Sequence, residues 1–121
     1  MTLAANNERF PKSLRLVKRS QFLRVQKYGL KVWSHPFVAL VLRNSFGVTR
    51  IGITVSKAAG NAVQRSRLRR RSRELFRKKR HLFPKGLDLI LIAQPAMKEA
   101  DWAFLSRAFD QLCQKLKRSF E

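Results

Sequence analysis

The chain has 121 residues, with 27 Lys and Arg against 7 Asp and Glu, a formal net charge of +20, and 45% hydrophobic residues. That length suits one domain around one core, and the hydrophobic content excludes a disordered basic tail. No apolar run reaches the ~18–20 residues of a membrane span, the first ten residues show no secretory h-region, and the lone Cys113 excludes an internal disulfide, so a reducing cytoplasm is the economical expectation.

In chain order, residues 1–12 are expected to be a flexible segment and 13–121 a single domain. Ser20 is placed to cap a short helix ending at Tyr28, with Gly29 closing it in a left-handed conformation. Residues 37–42 (Phe-Val-Ala-Leu-Val-Leu) are short, apolar and partly β-branched, which favours a strand. Arg43 to Thr49 reads as a loop of hairpin type. In the next strand, Arg50 to Ser56, alternation places Ile51, Ile53 and Val55 on a buried face. Arg50, Gly52, Thr54 and Ser56 fall on an open, nearly flat one.

Asn61 opens a helix over 61–80, with Gln64 three residues later in an approximate capping box. Between Gln64 and Arg80 stand ten basic residues and one acid, Glu74. At 100° per residue, Arg65, Arg67, Arg69, Arg70, Arg71, Arg73 and Arg77 sweep a broad arc, leaving a narrow wedge to Leu68, Ser72, Leu75 and Phe76. A solvated face would mix signs for i,i+4 pairing, whereas this one is shaped for a polyanion. Residues 83–86 (Phe-Pro-Lys-Gly) break the chain, and 87–92 supply a strand ended by Gln94-Pro95. From about Asp101 a last helix carries Trp102, Leu105, Phe109, Leu112, Cys113, Leu116 and Phe120 on one stripe, making Cys113 a buried thiol. The order is α-β-β-α-β-α, an α+β or α/β domain. Its β-α-β crossover would be right-handed by default.

Catalytic chemistry is hard to assemble. The acids Glu8, Glu74, Asp88, Glu99, Asp101, Asp110 and Glu121 show no metal-site spacing. One cysteine makes no zinc site, no phosphate-loop pattern is present, and His35 and His81 have no evident partner. The binding surface is more informative. Sequence-specific DNA readers mix Asn, Gln and Arg on a helix that follows another helix; here a nearly pure Arg face follows a strand. That pattern favours the backbone of a shaped RNA. The open strand face near Phe22 could hold a single-stranded segment, although Phe22 could equally be core.

Residues 50–57 (Arg-Ile-Gly-Ile-Thr-Val-Ser-Lys), then 60–70 (Gly-Asn-Ala-Val-Gln-Arg-Ser-Arg-Leu-Arg-Arg) and 73–77 (Arg-Glu-Leu-Phe-Arg) resemble the bacterial ribonuclease P protein component. Leu14-Arg-Leu before Ser20-Gln-Phe, and 87–93 after the helix, extend the resemblance over roughly residues 9–118. It implies an α+β fold with a left-handed crossover, against the default. It also implies the protein subunit of a ribonucleoprotein endoribonuclease that removes 5′ leaders from precursor tRNA. In that family the RNA carries the active site and the Mg2+, so no catalytic residue and no protein-bound metal are expected.

The resemblance assigns Lys57, Asn61, Arg65, Ser66, Arg67, Arg69, Arg70, Arg73 and Arg77 to the catalytic RNA, and Phe22, Gln26, Leu40, Thr54 and Ser56 to the leader cleft. The implied partners are the catalytic RNA and precursor tRNA, with no membrane and a monomer in a 1:1 complex. In two places the chain departs from the family pattern. Ser66 stands where the Arg-Asn-Arg signature has Asn, replacing an amide with a hydroxyl. Gln26 and Leu40 stand where relatives often carry aromatics, which leaves Phe22 isolated. The alternative reading is a ribosomal or other structural RNA-binding protein; an autonomous nuclease and a nucleoid protein fit less well.

Overall fold

The computed structural model describes residues 12–120, so the expected flexible segment 1–12 lies, but for Lys12, outside the described residues. Three helices, α1 (Arg19–Tyr28), α2 (Ala62–Lys79) and α3 (Trp102–Phe120), accompany four strands. These are β1 (Leu30–Ser34), β2 (Phe37–Arg43), β3 (Arg50–Val55) and β4 (Leu87–Ala93). They form one mixed sheet in the order β1-β2-β4-β3, and the class is α+β.

The element order differs from expectation in two respects. A strand, β1, stands where none was expected, so the order is α-β-β-β-α-β-α. It is five residues long, lies at the sheet edge, and turns into β2 through His35-Pro36. Its burial is incomplete and its apolar pattern correspondingly weak. The loop 44–49 is also not a hairpin: β4 lies between β2 and β3, antiparallel to the first and parallel to the second. Six of its seven residues are buried, and a strand apolar on both sides gains most from a central place.

One sheet face is covered by α2 and α3. Val41, Ile51, Leu89, Leu91, Phe76, Leu105, Phe109 and Leu112 meet there in the main core. Phe109 is the hub of an aromatic cluster, edge-on to Phe37 at 5.7 Å and tilted against Phe83 at 5.4 Å. Cys113 is buried in this core, which pushes its thiol up to about 12, with Asp110 adding to the shift. A thiol so protonated is packing material and not a nucleophile. Trp102, expected on the buried stripe, remains 43% exposed at the first position of α3.

The opposite face carries α1 over a smaller core of Leu16, Val25 and Ile90, with Phe22, Leu40, Leu42 and Ile92 packed against it. Ser20 lies inside α1 and does not cap it; Gln21 Oε1 accepts from the backbone N–H of Val17 and Lys18 instead. Gly29 is extended, with φ −76°, not left-handed. Its glycine answers to close approach, because a Cβ would stand 2.4 Å from the Val25 carbonyl oxygen.

Candidate nucleic-acid interface

Helix α2 begins with the expected cap. Asn61 Oδ1 accepts from Gln64 N–H at 2.9 Å, and Gln64 Oε1 accepts from Asn61 N–H at 3.0 Å. Gly60 makes room for this exchange: its φ is +130°, and a Cβ there would meet Gln64 Oε1 at 1.9 Å. The buried wedge is Leu68, Ser72, Leu75 and Phe76, as the helical spacing predicts. Buried Ser72 turns its hydroxyl to Met97 Sδ at 3.7 Å.

The rest of the arc divides into committed and open side chains. Arg71 Nη2 donates to the Ala100 carbonyl at 3.1 Å, tying α2 to the segment before α3. Arg77 forms a two-pronged pair with Glu74 at 2.9 and 2.8 Å, and Lys79 reaches Asp110 at 2.7 Å. The Arg77 hydrogen bond holds the Glu74 carboxyl below its ordinary value. Arg67, Arg70 and Arg73 are exposed, Arg65 and Arg69 half-buried, and Lys57, Asn61 and Ser66 lie exposed at or before the first turns. This end of α2 has no acidic residue in its first turn, so the guanidinium field adds to the positive helix terminus.

The expected cleft residues also come together, on the α1 side of the sheet. Gly52, Ile90, Leu40 and Lys31 stand opposite one another in one row, and Thr54, Ile92, Val38 and Trp33 in the next. Phe22 lies over Gly52, where an added Cβ would meet its ring at 2.5 Å. Phe22 is therefore both core and wall: half-buried, it belongs to the small core and borders the open row. Gln26, one helical turn on, is exposed, and Leu40 and Thr54 are half-buried. Ser56 is more constrained than expected, since its hydroxyl accepts from Ala58 N–H at 3.3 Å and starts the turn Lys57–Ala59. Through that turn the open end of the sheet runs directly into α2.

The other end of the same face is sealed. Arg50 and Asp88, facing across β3 and β4, pair through Nε–Oδ1 at 2.9 Å and Nη2–Oδ2 at 2.7 Å. Asn44 Nδ2 donates to Asp88 Oδ1, and the Phe46 ring covers the Arg50 guanidinium at 4.4 Å. Asp88 is 2% exposed, so its desolvation is offset by these contacts. The sequence signal was an acid inside an otherwise apolar strand, but its partner becomes visible only with the parallel β3–β4 register. Exposed Trp33 also escaped notice, because β1 itself did.

Of the remaining described acids, Glu99 is exposed and Asp101 has structural work. Asp101 Oδ1 accepts from Phe104 N–H at 2.8 Å at the start of α3. Among the described residues no group of three or more His, Cys, Asp or Glu could hold a metal ion. No helix among them is long and apolar enough to cross a membrane.

A small basic α+β domain that joins a guanidinium-covered helix to an open sheet end is, by its surfaces, a polyanion-binding protein. Comparison with known proteins narrows the class: residues 10–117 match the Ribonuclease P family. The chain is similar to the ribonuclease P protein component of Natranaerobius thermophilus, 38% identical over 102 residues, covering 84% of this chain and 89% of that one. Among solved structures it resembles a Staphylococcus aureus RNase P protein mutant with defective mRNA degradation activity, with a TM-score of 0.79 and 31% identity over 88% of this chain and 90% of that one. The RNase P protein from Thermotoga maritima aligns with a TM-score of 0.71 and 32% identity, covering 86% and 96%. The chain belongs to the ribonuclease P protein family. Its role is therefore as a component of that tRNA-processing ribonucleoprotein, in partnership with the ribonuclease P RNA.

Proposed function

We propose that the chain docks on the catalytic RNA through the exposed arc of α2 and holds the 5′ leader of precursor tRNA over the open sheet end. The RNA then carries out the cleavage. The observation that carries this reading is the continuity of the two surfaces. Thr54 and Ser56 at the open end lead through Lys57 and Asn61 into Arg67, Arg70 and Arg73. Such an arrangement lets one rigid body grip folded RNA by its phosphates and a single strand by its bases.

Magnesium, which the family implies, fits the RNA better than this chain. Glu74, Asp88 and Asp110 are engaged by Arg77, Arg50 and Lys79, and Asp101 caps α3. The protein contributes binding and orientation, as a monomer in a 1:1 complex in the cytoplasm. No hydrolytic step is assigned to its side chains.

The test adds purified protein to the catalytic RNA at low magnesium and follows cleavage of a precursor tRNA bearing a leader. Stimulation over RNA alone is expected; its absence sinks the reading, and cleavage by protein alone would mark an autonomous nuclease. Binding to the RNA should also fall ~10³–10⁵-fold between 50 and 200 mM salt if ~6–10 phosphate contacts form, on the duplex-DNA scaling.

A further inference from the structure

The open row on the α1 side of the sheet runs from Thr54 on β3, across Ile92 and Val38, to Trp33 on the edge strand β1. Side chains opposite one another share a face. Ser34, next to Trp33, points the other way, its hydroxyl donating to the Ala108 carbonyl of α3 at 2.7 Å. Trp33 thus stands on the same face as Phe22, at the far side of the trough. With strands about 4.8 Å apart, the trough is on the order of 14 Å wide, a span that a few nucleotides cover. Between its ends the row is apolar and uncharged, with Val38 buried and Ile92 half-buried, so the accessible groups are Thr54 at one end and Trp33 at the other.

Trp33 is 58% exposed. An indole held this far out of the core gains little from folding, yet its setting is specific. Lys31, two residues back on the same face, places its Nζ 5.3 Å from the ring centroid, and Lys115 Nζ donates to the Trp33 carbonyl from α3. Lys27 lies in the same relation to the exposed ring of Tyr28, again at 5.3 Å. An aromatic ring with one ammonium group beside it, at the end of an apolar row, has the composition of a stacking platform for single-stranded nucleic acid. The ring takes a base, and Lys31 takes an adjoining phosphate.

We propose that Trp33 is a second stacking position for the leader, reached by nucleotides farther from the cleavage site than those at Phe22. The proposal rests on reading the open sheet end as the leader site. Its direction follows from connectivity, because β3 continues into the RNA-facing helix whereas β1 is the remote edge. In this chain Leu40, on the strand next to that of Trp33, and Gln26, one helical turn from Phe22, offer no aromatic face, so the outer ring supplies what they do not. The specificity that results is for leader length.

The experiment uses the assembled holoenzyme and precursor tRNAs carrying leaders of increasing length. Trp33→Ala should weaken binding of the longest leader roughly 5- to 150-fold, the range for losing one base–aromatic stack, while Trp33→Phe retains most of the affinity. Cutting the leader to two nucleotides should abolish the difference, and assembly with the catalytic RNA should not change. Phe22→Ala separates the two claims. If it weakens leader binding and Trp33→Ala does not, the second position fails alone; if leader length matters to neither, the leader site itself fails. A loss of catalytic-RNA assembly in Trp33→Ala would give the ring to that RNA and overturn the proposal. As a second measurement, Trp102→Phe leaves Trp33 the sole tryptophan. Its emission should change with a long-leader substrate and not with a two-nucleotide one, and an unchanged emission with both counts against the stack.

Discussion

The two surfaces of this domain are built on opposite physics. On α2 exposed guanidinium groups are set around a wedge of four buried side chains, with Val63 exposed near the helix start. On the sheet face the central strands are apolar, Phe22 and Trp33 supply aromatic rings, and Lys31 brings charge in from the side. On the proposed function the first surface would sense a partner's charge density and shape, with a grip that weakens with salt. The second would sense unstacked bases, with weaker salt dependence. Separate interactions would thereby let one small fold distinguish a folded RNA from a flexible strand.

The largest expected effect comes from the scaffold the two surfaces share. Asp88→Ala leaves Arg50 half-sealed beneath Phe46 without its carboxylate and should cost ~3 kcal/mol of folding stability, the low end for a broken buried pair because Arg50 still reaches solvent. Equilibrium denaturation measures it. A loss below ~1 kcal/mol would show that the pair does not hold the closed end.

Replacing Arg67, Arg70 and Arg73 together by Ala breaks the helix surface alone. At ~1 kcal/mol for each phosphate contact, affinity for the catalytic RNA should fall on the order of 10²-fold, and the salt slope by about 0.9 per lost contact. Leader-length dependence of the assembled complex should persist. Gly52→Ala does the reverse. The new methyl displaces the Phe22 ring, costing roughly 1–3 kcal/mol of stability as overpacking, and leader affinity should drop while docking on the RNA survives.

Ser66→Asn, which restores the family's amide, changes an exposed position and should shift stability by no more than ~0.5 kcal/mol. If the amide meets the RNA, affinity rises by up to about 5-fold; a titration against the catalytic RNA reads this directly. The smallest effect concerns acid. Glu74 is held below its ordinary value by Arg77, so its contribution is present above the unfolded pKa and lost as pH falls through the folded one. Both side chains of the pair are partly open to solvent, so the loss is slight. Glu74→Gln should flatten that part of the stability–pH curve.

What could be read in advance follows from how local each signal is. The α2 wedge and its Asn61–Gln64 cap depend on spacings of two to four residues and appear in the structure as read. The alternation of β3 appears only in part: Ile51 and Val55 are buried, but Ile53 is half-buried, and Gly52, expected on the open face, is buried beneath Phe22. The family resemblance, carried by the same stretch, extended the reading to the fold class and to the partner RNA. The central place of β4, the Arg50–Asp88 pair and the face of Trp33 depend on which strands lie side by side. That is a non-local outcome, decided by where an all-apolar strand buries most surface. Strand β1 was hidden because an edge strand with one buried flank has little pattern to show. Trp102 shows the converse error: it continues the helical stripe in sequence but sits where α3 overhangs the core.

The position of β4 has a consequence for how the molecule is made. Its neighbours β2 and β3 share no ladder, so the sheet closes only after residues 87–93 have left the ribosome. Until then a nascent chain presents its arginine-rich segment without the sheet that shields its apolar wedge. The long-range pairing that completes the trough is thus a late event in synthesis, and an entropically demanding one. A chain shortened before residue 87 would retain the positive charge of the basic segment and lack the central strand of the sheet proposed to hold a single strand.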